Sequence, residues 1–211
     1  MESWNNYHKK LKSQDWINKP SIFAKQMFSH LPESGSILEL GAGQGQDSRF
    51  FLYRGFNIVS TDINEIALEI SKSLLYENQD QIEFKVVDTG KPLPFDDESF
   101  DAVYSHLGLH YFSESKTREV FAEIHRVLRT NGVLVSLFNT TEDPEIQNPA
   151  FEKLEEHYYI EVPKKLHKAY FSTDYVRNLS DGFFETVILD NHGESYKDKI
   201  KTLVRFVGKK I

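Results

Sequence analysis

A glycine-rich turn with an acidic residue on either side is the part of this sequence that could do chemistry. The run Glu39-Leu40-Gly41-Ala42-Gly43-Gln44-Gly45 places three glycines directly after a short apolar segment. Such a turn lets the backbone approach a ligand closely and aims helix N–H groups at it. Asp62 follows 21 residues after Gly41, at the end of the next apolar run. A carboxylate there can accept hydrogen bonds from both hydroxyls of a ribose, so we expect a nucleoside-containing cofactor.

The glycine spacing and Glu39 distinguish between a dinucleotide and S-adenosylmethionine as the expected cofactor. A dinucleotide site favours G-x-G-x-x-G, whereas here the third glycine comes one residue early and Gln46 takes its place. Glu39 would repel a pyrophosphate but could accept hydrogen bonds from an ammonium group. S-adenosylmethionine carries an ammonium, a sulfonium and a ribose, and it has no phosphate. We therefore expect S-adenosylmethionine, with S-adenosylhomocysteine as the product, rather than NAD.

Five motifs in order resemble those of the class I S-adenosylmethionine-dependent methyltransferases. Residues 37–45 resemble the first motif, and Asp62 and Asp88 match the acids of the second and third strands. Residues 92–103 resemble the loop into the fourth strand, and residues 126–132 resemble the helix end before the fifth. Thr130-Asn131-Gly132 replaces the usual Pro-Gly-Gly turn, a change that the backbone tolerates. Residues 190–195 also resemble the tellurite-resistance branch of small methyltransferases.

The resemblance implies a role for individual cofactor-binding residues. Asp62 would bind the ribose, Glu39 would face the methionine ammonium, and Asp88 with Thr89 would lie beside the adenine. The implied cofactor set is Glu39, Gly41, Ala42, Gly43, Gly45, Asp62, Ile63, Asp88, Thr89 and Ser105.

Candidates for the acceptor side follow the predicted fourth strand and stand near the N-terminus. His106 and His110 are candidate catalytic residues, and the alternative is that they are packing or surface side chains. Their spacing would suit a metal on a helix, but no third ligand at a suitable spacing and no H-E-x-x-H motif accompanies them, so we expect no metal. The substrate candidates are His106, Tyr111, Tyr7 and Trp16.

A second group of acceptor candidates lies in residues 139–170 and just beyond, with solvated side chains as the alternative. Aromatic candidates for a pocket are His157, Tyr158, Tyr159, His167 and Tyr170, and cationic candidates for an anionic acceptor are Lys164, Lys165 and Arg177.

Alternating strands and helices must position these residues. Strands are predicted at 36–40, 57–61, 82–87, 100–105 and 133–138, and helices at 47–54, after the cap Asn64, and at 114–129. This alternation predicts an α/β, Rossmann-like fold, and the resemblance implies a seven-stranded, mostly parallel sheet with helices on both faces. A helix at 173–179, capped by Ser172 or Thr173, precedes strands at 183–190 and 201–207, which would form an antiparallel pair.

The chain reads as one domain over residues 1–211, with two additions. Residues 1–19 are polar but contain Trp4, Tyr7 and Trp16, which predicts an N-terminal arm or lid over the cofactor. Residues 139–170 contain no clean strand pattern, which predicts a loop-and-helix insertion on the substrate side.

The composition narrows the function classes. The net charge of −7 argues against a general nucleic-acid binder, and the lack of cysteine excludes thiolate and Cys-zinc chemistry. No apolar run approaches the roughly 20 residues that span a bilayer, so we expect no membrane segment and a cytoplasmic protein. The oligomeric state stays open.

The hypothesis that these observations favour is methyl transfer from S-adenosylmethionine to a small-molecule acceptor. This reaction is an in-line displacement that depends mainly on proximity and orientation, which fits a sequence with no visible nucleophile–base pair. The alternatives are an NAD-dependent oxidoreductase and a non-catalytic, cofactor-binding regulatory module. The sequence leaves open the acceptor, its attacking atom and the use of a base.

Overall fold

A seven-stranded sheet forms the centre of the computed structural model, which describes residues 18–77, 79–194 and 202–211. The strands are β1 (Ser36–Leu40), β2 (Asn57–Asp62), β3 (Ile82–Val86), β4 (Phe100–His106), β5 (Leu128–Phe138), β6 (Phe151–Glu155), β7 (Tyr158–Glu161), β8 (Leu166–Ala169), β9 (Phe184–Gly193) and β10 (Leu203–Lys210). The order of the large sheet is β3-β2-β1-β4-β5-β10-β9. Strands β1 to β5 are parallel, and β10 lies antiparallel between β5 and β9. This confirms the predicted fold class and the predicted antiparallel pair.

The described residues form five α-helices, and side-chain caps begin three of them. The helices are α1 (Ile22–Met27), α2 (Gln46–Leu52), α3 (Glu65–Ser73), α4 (Glu114–Val127) and α5 (Thr173–Ser180). Asn64 caps α3 by accepting a hydrogen bond from the N–H of Ala67 (3.1 Å), as predicted. Ser172 caps α5, and Ser21 caps α1, a helix that the sequence patterns did not single out.

The helices cover both faces of the large sheet, as the resemblance implied. Phe23 of α1 and Phe51 of α2 pack with Tyr104 on one face. Phe121 of α4 and Val176 of α5 belong to the core on the other face. Because side chains of a strand alternate between faces, β1 and β4 contribute residues to both layers.

The passage from α4 to β5 differs from the prediction. The helix ends at Val127 instead of residue 129, because Leu128 already has extended backbone angles. Asn131 adopts a left-handed conformation (φ 67°), as expected for the Asn-Gly turn. The turn forms an irregularity in the ladder between β4 and β5, and regular pairing resumes at Val133.

The prediction of a loop-and-helix insertion at 139–170 is wrong. Strands β6, β7 and β8 form a separate antiparallel sheet in that order, here called the small sheet. Its strands have four or five residues, and β6 is rich in exposed Glu and Lys, so the alternation of apolar and polar residues is weak. The N–H of Ala169 donates to the carbonyl of His110 (2.7 Å), which fixes β8 to the loop after β4.

Candidate active site

The glycine turn lies where β1 and β2 end, beside the loop that follows β4. Gly41, Gly43 and Gly45 all have positive φ angles, of 73°, 55° and 69°. The N–H of Ala42 donates to the carbonyl of Thr61 (2.8 Å), which joins the turn to the end of β2. Gly45 is the N-cap residue just before α2, and a Cβ on it would lie 1.9 Å from the buried Oγ of Ser71. Conformation and space therefore both require the third glycine.

Gly108 is a part of this turn that the sequence reasoning missed. A Cβ on Gly108 would lie 2.5 Å from the carbonyl oxygen of Leu40 and 2.7 Å from Oγ of Ser105. The Ser105 hydroxyl donates to that same carbonyl of Leu40 (2.9 Å) and is fully buried. The signal was a glycine three residues after Ser105, but only the β1–β4 pairing shows that it touches the turn.

Asp62 holds the backbone at the end of β2. Its Oδ2 accepts a hydrogen bond from the N–H of Gly43 and its Oδ1 accepts one from the N–H of Asn64, both at 2.8 Å. The side chain is half-buried, and Ile63 beside it is 52% exposed. The structure thus brings Asp62 to the glycine turn, as predicted, and leaves an apolar side chain exposed next to it.

Asp88 and Thr89 begin the loop after β3. Asp88 accepts a hydrogen bond from the N–H of Gly90 (3.0 Å), and Lys91 lies 3.6 Å from its other carboxylate oxygen. Arg126 of α4 fixes this loop further on, by donating to the carbonyls of Leu93 and Phe95. The motif residue Arg126 therefore holds the loop that carries Asp88 in place through these hydrogen bonds.

Glu39 is a buried carboxyl group beneath the turn, with only 3% of its surface exposed. Its Oε2 lies in a short hydrogen bond with the Ser48 hydroxyl, and Ser48 is also within 2.8 Å of Oγ of Ser60. Burial raises the pKa of Glu39 well above its ordinary value, and the nearby Asp47 carboxylate raises it further. The sequence placed Glu39 at the turn but gave no sign of this burial.

Asp47 is a second buried acid that the sequence reasoning missed. Its carboxylate accepts hydrogen bonds from the N–H and the hydroxyl of Ser21 and from the hydroxyl of Tyr104, each at 2.7 Å. Burial and Asp47 raise the pKa of the Tyr104 hydroxyl, which keeps it a donor. An acid in the first turn of α2 was visible in the sequence, but it could not be distinguished from an exposed helix-capping charge.

His106 is the last residue of β4, and His110 lies in the loop that follows, close enough for His106 to affect its pKa. His110 is 5% exposed, and its ring lies 4.2 Å from the ring of Tyr111. Burial, Lys168 and His106 lower the pKa of His110 to about 3, and burial lowers the pKa of His106. Both imidazoles are therefore neutral near pH 7. Across residues 18–77, 79–194 and 202–211, no group of three possible metal ligands is found.

The small sheet separates the other aromatic candidates. Tyr158 stacks on His167 (5.5 Å between ring centres) and packs on the core beneath α4 and α5. His157 precedes β7, and its ring centre lies 4.1 Å from that of Tyr175 in α5. Tyr159 and Tyr170 lie together on the opposite side of the small sheet, with 5.4 Å between their ring centres. The candidates therefore do not form one pocket lining.

The candidate cations are also dispersed. Lys164 pairs with Glu161, Arg177 pairs with Asp174, and Lys165 is exposed. The cation near His110 is Lys168, which the sequence reasoning did not select. The predicted arm residues Trp4, Tyr7 and Trp16 lie outside the described residues.

A family model for a methyltransferase domain matches residues 37–132, which carry the glycine turn, Asp62, Asp88 and the two histidines. A demethylmenaquinone methyltransferase of Clavibacter sepedonicus is 37% identical over 109 residues, which are 51% of this chain and 43% of that protein. The chain thus spans less than half the length of this relative. None of the helices in the described parts of the chain is long and apolar enough to cross a membrane.

Solved structures share the fold over nearly the whole chain. A protein of Pyrococcus horikoshii superposes with a TM-score of 0.72 at 20% identity, covering 97% of this chain and 91% of its own. The 1,6-didemethyltoxoflavin-N1-methyltransferase of Burkholderia thailandensis, with 1,6-didemethyltoxoflavin and S-adenosylhomocysteine bound, superposes with a TM-score of 0.73 at 15% identity, covering 99% and 84%. Residues 37–132, which carry the glycine turn and the two acids after β2 and β3, match the methyltransferase-domain family, and the strand order is that of the Rossmann-like fold that the solved structures share.

Proposed function

We propose that the protein transfers a methyl group from S-adenosylmethionine to a small-molecule acceptor. The observation that carries the proposal is the placement of Glu39 and Asp62 on two sides of one glycine turn. Glu39 is an acceptor suited to the ammonium group, and Asp62 at the end of β2 is suited to the ribose hydroxyls. Asp88 adds a third acid at the end of β3, beside Thr89. An acidic set of this kind fits a cation without phosphate.

The residues around the turn would position the cofactor, which supplies an activated methyl group. The backbone of the turn can approach the bound molecule closely because Gly41, Gly43 and Gly45 carry no side chain. Ile63 offers an exposed apolar surface beside Asp62 for the adenine ring. The chemical step needs the acceptor lone pair opposite the S–CH₃ bond, so orientation provides much of the barrier reduction.

The acceptor would enter beside the loop that follows β4, where His110 and Tyr111 lie next to the end of the small sheet, a few residues after His106 at the end of β4. A small molecule fits the net charge of −7, which disfavours a polyanionic nucleic acid. The names of two similar proteins, which act on demethylmenaquinone and on 1,6-didemethyltoxoflavin, also support a small acceptor with a ring. The assignment to the tellurite-resistance branch stays a prediction.

The test has a binding stage and a transfer stage. Thermal unfolding is measured with S-adenosylhomocysteine and with NAD, and we expect a higher Tm with the first ligand only. A shift with NAD alone would overturn the proposal and favour an oxidoreductase. The protein is then incubated with S-adenosylmethionine and a metabolite extract, and products heavier by one methyl group are sought by mass spectrometry. Cofactor binding without any methylated product would favour the non-catalytic binding module.

A further inference from the structure

We propose that Glu39 holds a proton while the cofactor site is free, and that it releases this proton to solvent when the ammonium group of the cofactor binds. The inference rests on the proposed function, since it assigns the ammonium to Glu39. Its consequence is that cofactor affinity increases with pH over the range in which free Glu39 titrates.

The surroundings of Glu39 make an ionised carboxylate unfavourable in the free protein. The side chain is 3% exposed, so ionisation would place a charge in a poorly solvated position. The ionisable groups that face it from the packed elements are Asp47 and Arg49 of α2, Asp62 of β2 and Tyr104 of β4. Arg49, which donates to the carbonyl of Gln44 at 2.8 Å, favours the ionised form. Burial and the two aspartates outweigh it.

The hydrogen bonds indicate which of the two neighbouring buried acids carries the charge. Asp47 accepts three hydrogen bonds, from the N–H and hydroxyl of Ser21 and from the hydroxyl of Tyr104. Multiple donors stabilise a carboxylate in its ionised form. Among the groups that shift the pKa of Glu39, the Ser48 hydroxyl is the one side chain that hydrogen-bonds to it. When two close carboxyl groups cannot both ionise, the one with fewer donors keeps the proton, and here that group is Glu39.

The hydroxyl groups next to Glu39 can serve both of its protonation states. Ser48 Oγ lies within hydrogen-bond distance of Glu39 Oε2 on one side and of Ser60 Oγ on the other. With Glu39 protonated, the acid donates to Ser48, and Ser48 donates to Ser60. With Glu39 ionised, both hydroxyls reverse, so that Ser60 donates to Ser48 and Ser48 donates to the carboxylate. The change needs only rotation of two hydroxyl groups.

Binding of an ammonium group beside Glu39 makes its ionised form favourable, so the carboxyl group loses its proton. A cation beside Glu39 favours its charged form and offsets the repulsion from Asp47. The balanced step is the protein with protonated Glu39 plus the cofactor, giving the complex with ionised Glu39 plus one proton in solvent. Well below the pKa of free Glu39, affinity should therefore rise about tenfold per pH unit, and above it the affinity should level off.

Isothermal titration calorimetry measures this proton directly. S-adenosylhomocysteine is titrated into the protein in buffers of different ionisation enthalpy, at several values between about pH 5 and pH 8. We expect close to one proton released per ligand wherever the pH is well below the pKa of free Glu39, and a smaller release as the pH rises past it. The ligand 5′-methylthioadenosine shares the adenosine and the sulfur but lacks the ammonium group, and it should bind without proton release.

Two variants complete the design. Glu39→Gln keeps the shape of the side chain without a titrating proton, so its affinity should be lower and independent of pH. Glu69→Gln, at an exposed position of α3, should match the unchanged protein. Binding of S-adenosylhomocysteine with no buffer-dependent heat at any pH would overturn this inference alone. Equal proton release with 5′-methylthioadenosine would also overturn it, whereas no binding of either ligand would overturn the proposed function.

Discussion

Asp62 has two tasks at the residue scale, since it fixes the backbone N–H groups of Gly43 and Asn64 and would bind the ribose. Replacement by alanine removes a charged acceptor, and such hydrogen bonds are worth about 1.5–3 kcal/mol. We expect Asp62→Ala to weaken S-adenosylhomocysteine binding by roughly 10- to 150-fold, measured by calorimetry.

The exposed Asp80 provides the control, since Asp80→Ala removes an aspartate far along the chain from the turn. Asp62→Asn should fall between the two, because an amide oxygen accepts without a full charge. Unchanged affinity in Asp62→Ala would show that the ribose contact is wrong.

Gly108 is required for space and not for its backbone conformation. A Cβ there would meet the carbonyl oxygen of Leu40 at 2.5 Å, and backbone cannot move aside as a flexible side chain can. We expect Gly108→Ala to cost about 1–3 kcal/mol of unfolding free energy and to weaken cofactor binding, because the added methyl presses on the glycine turn.

Gly55→Ala is the informative comparison, since a Cβ on Gly55 meets nothing within 4 Å although its φ is 89°. This variant should lose stability through backbone strain alone and should keep its cofactor affinity. The measurements are chemical unfolding and calorimetric binding for both variants. Equal loss of affinity in both would contradict the proposed contact.

At the scale of elements, Glu145 connects the turn before β6 to β8 and the residue after it through hydrogen bonds. One of its carboxylate oxygens accepts hydrogen bonds from the fully buried Tyr170 hydroxyl (2.6 Å) and from the Lys168 ammonium (2.8 Å). We expect Glu145→Ala to destabilise the protein by about 1–3 kcal/mol, because it leaves the Tyr170 hydroxyl buried without this acceptor. Hydrogen exchange should increase mainly in residues 143–170.

A double-mutant cycle separates this contact from general effects of the substitution. Tyr170→Phe removes the hydroxyl that needs the acceptor, so Glu145→Ala should cost less in that background than in the unchanged protein. Strict additivity of the two variants would show that the hydrogen bond does not stabilise the small sheet.

The elements differ in how far the sequence predicted them. The strands β1 to β5 and the caps Asn64 and Ser172 were predictable, since apolar runs and capping side chains are local signals. The small sheet was not, because its strands are short and their pattern is masked by exposed charges on β6. Its pairing depends on contacts such as Ala169 with His110, which are remote in the sequence.

At the scale of the whole molecule, the buried His110 makes the free energy of unfolding depend on pH. The pKa of His110 is lowered from 6.5 to about 3 in the folded protein, chiefly by burial. As the pH falls below about 6.5, His110 therefore becomes protonated in the unfolded chain but stays neutral in the folded protein. The stability that neutral His110 contributes is present above pH 6.5 and is lost as the pH decreases towards about 3.

We therefore expect the Tm of the protein to fall more steeply with acid than that of His110→Gln, which has no proton to take up at this position. His125→Gln is the matched control, because His125 lies at the surface beside Ile211. Parallel Tm curves for the unchanged protein and His110→Gln between about pH 7 and pH 4 would contradict the prediction.

The sequence by itself determined the alternation of β1 to β5 with their helices, the glycine turn, and the acids Glu39, Asp62 and Asp88 near strand ends. These features follow from local rules of periodicity, capping and spacing. Only the tertiary structure decided that Glu39 is buried beside Asp47, that Gly108 touches the turn, and that the small sheet places its aromatic residues on two sides. For Gly108 the reason is that β4 pairs with β1, so contacts are made between residues about 65 positions apart, as in the Ser105–Leu40 hydrogen bond. The charge state of a carboxyl group then depends on which donors and charges that packing places around it.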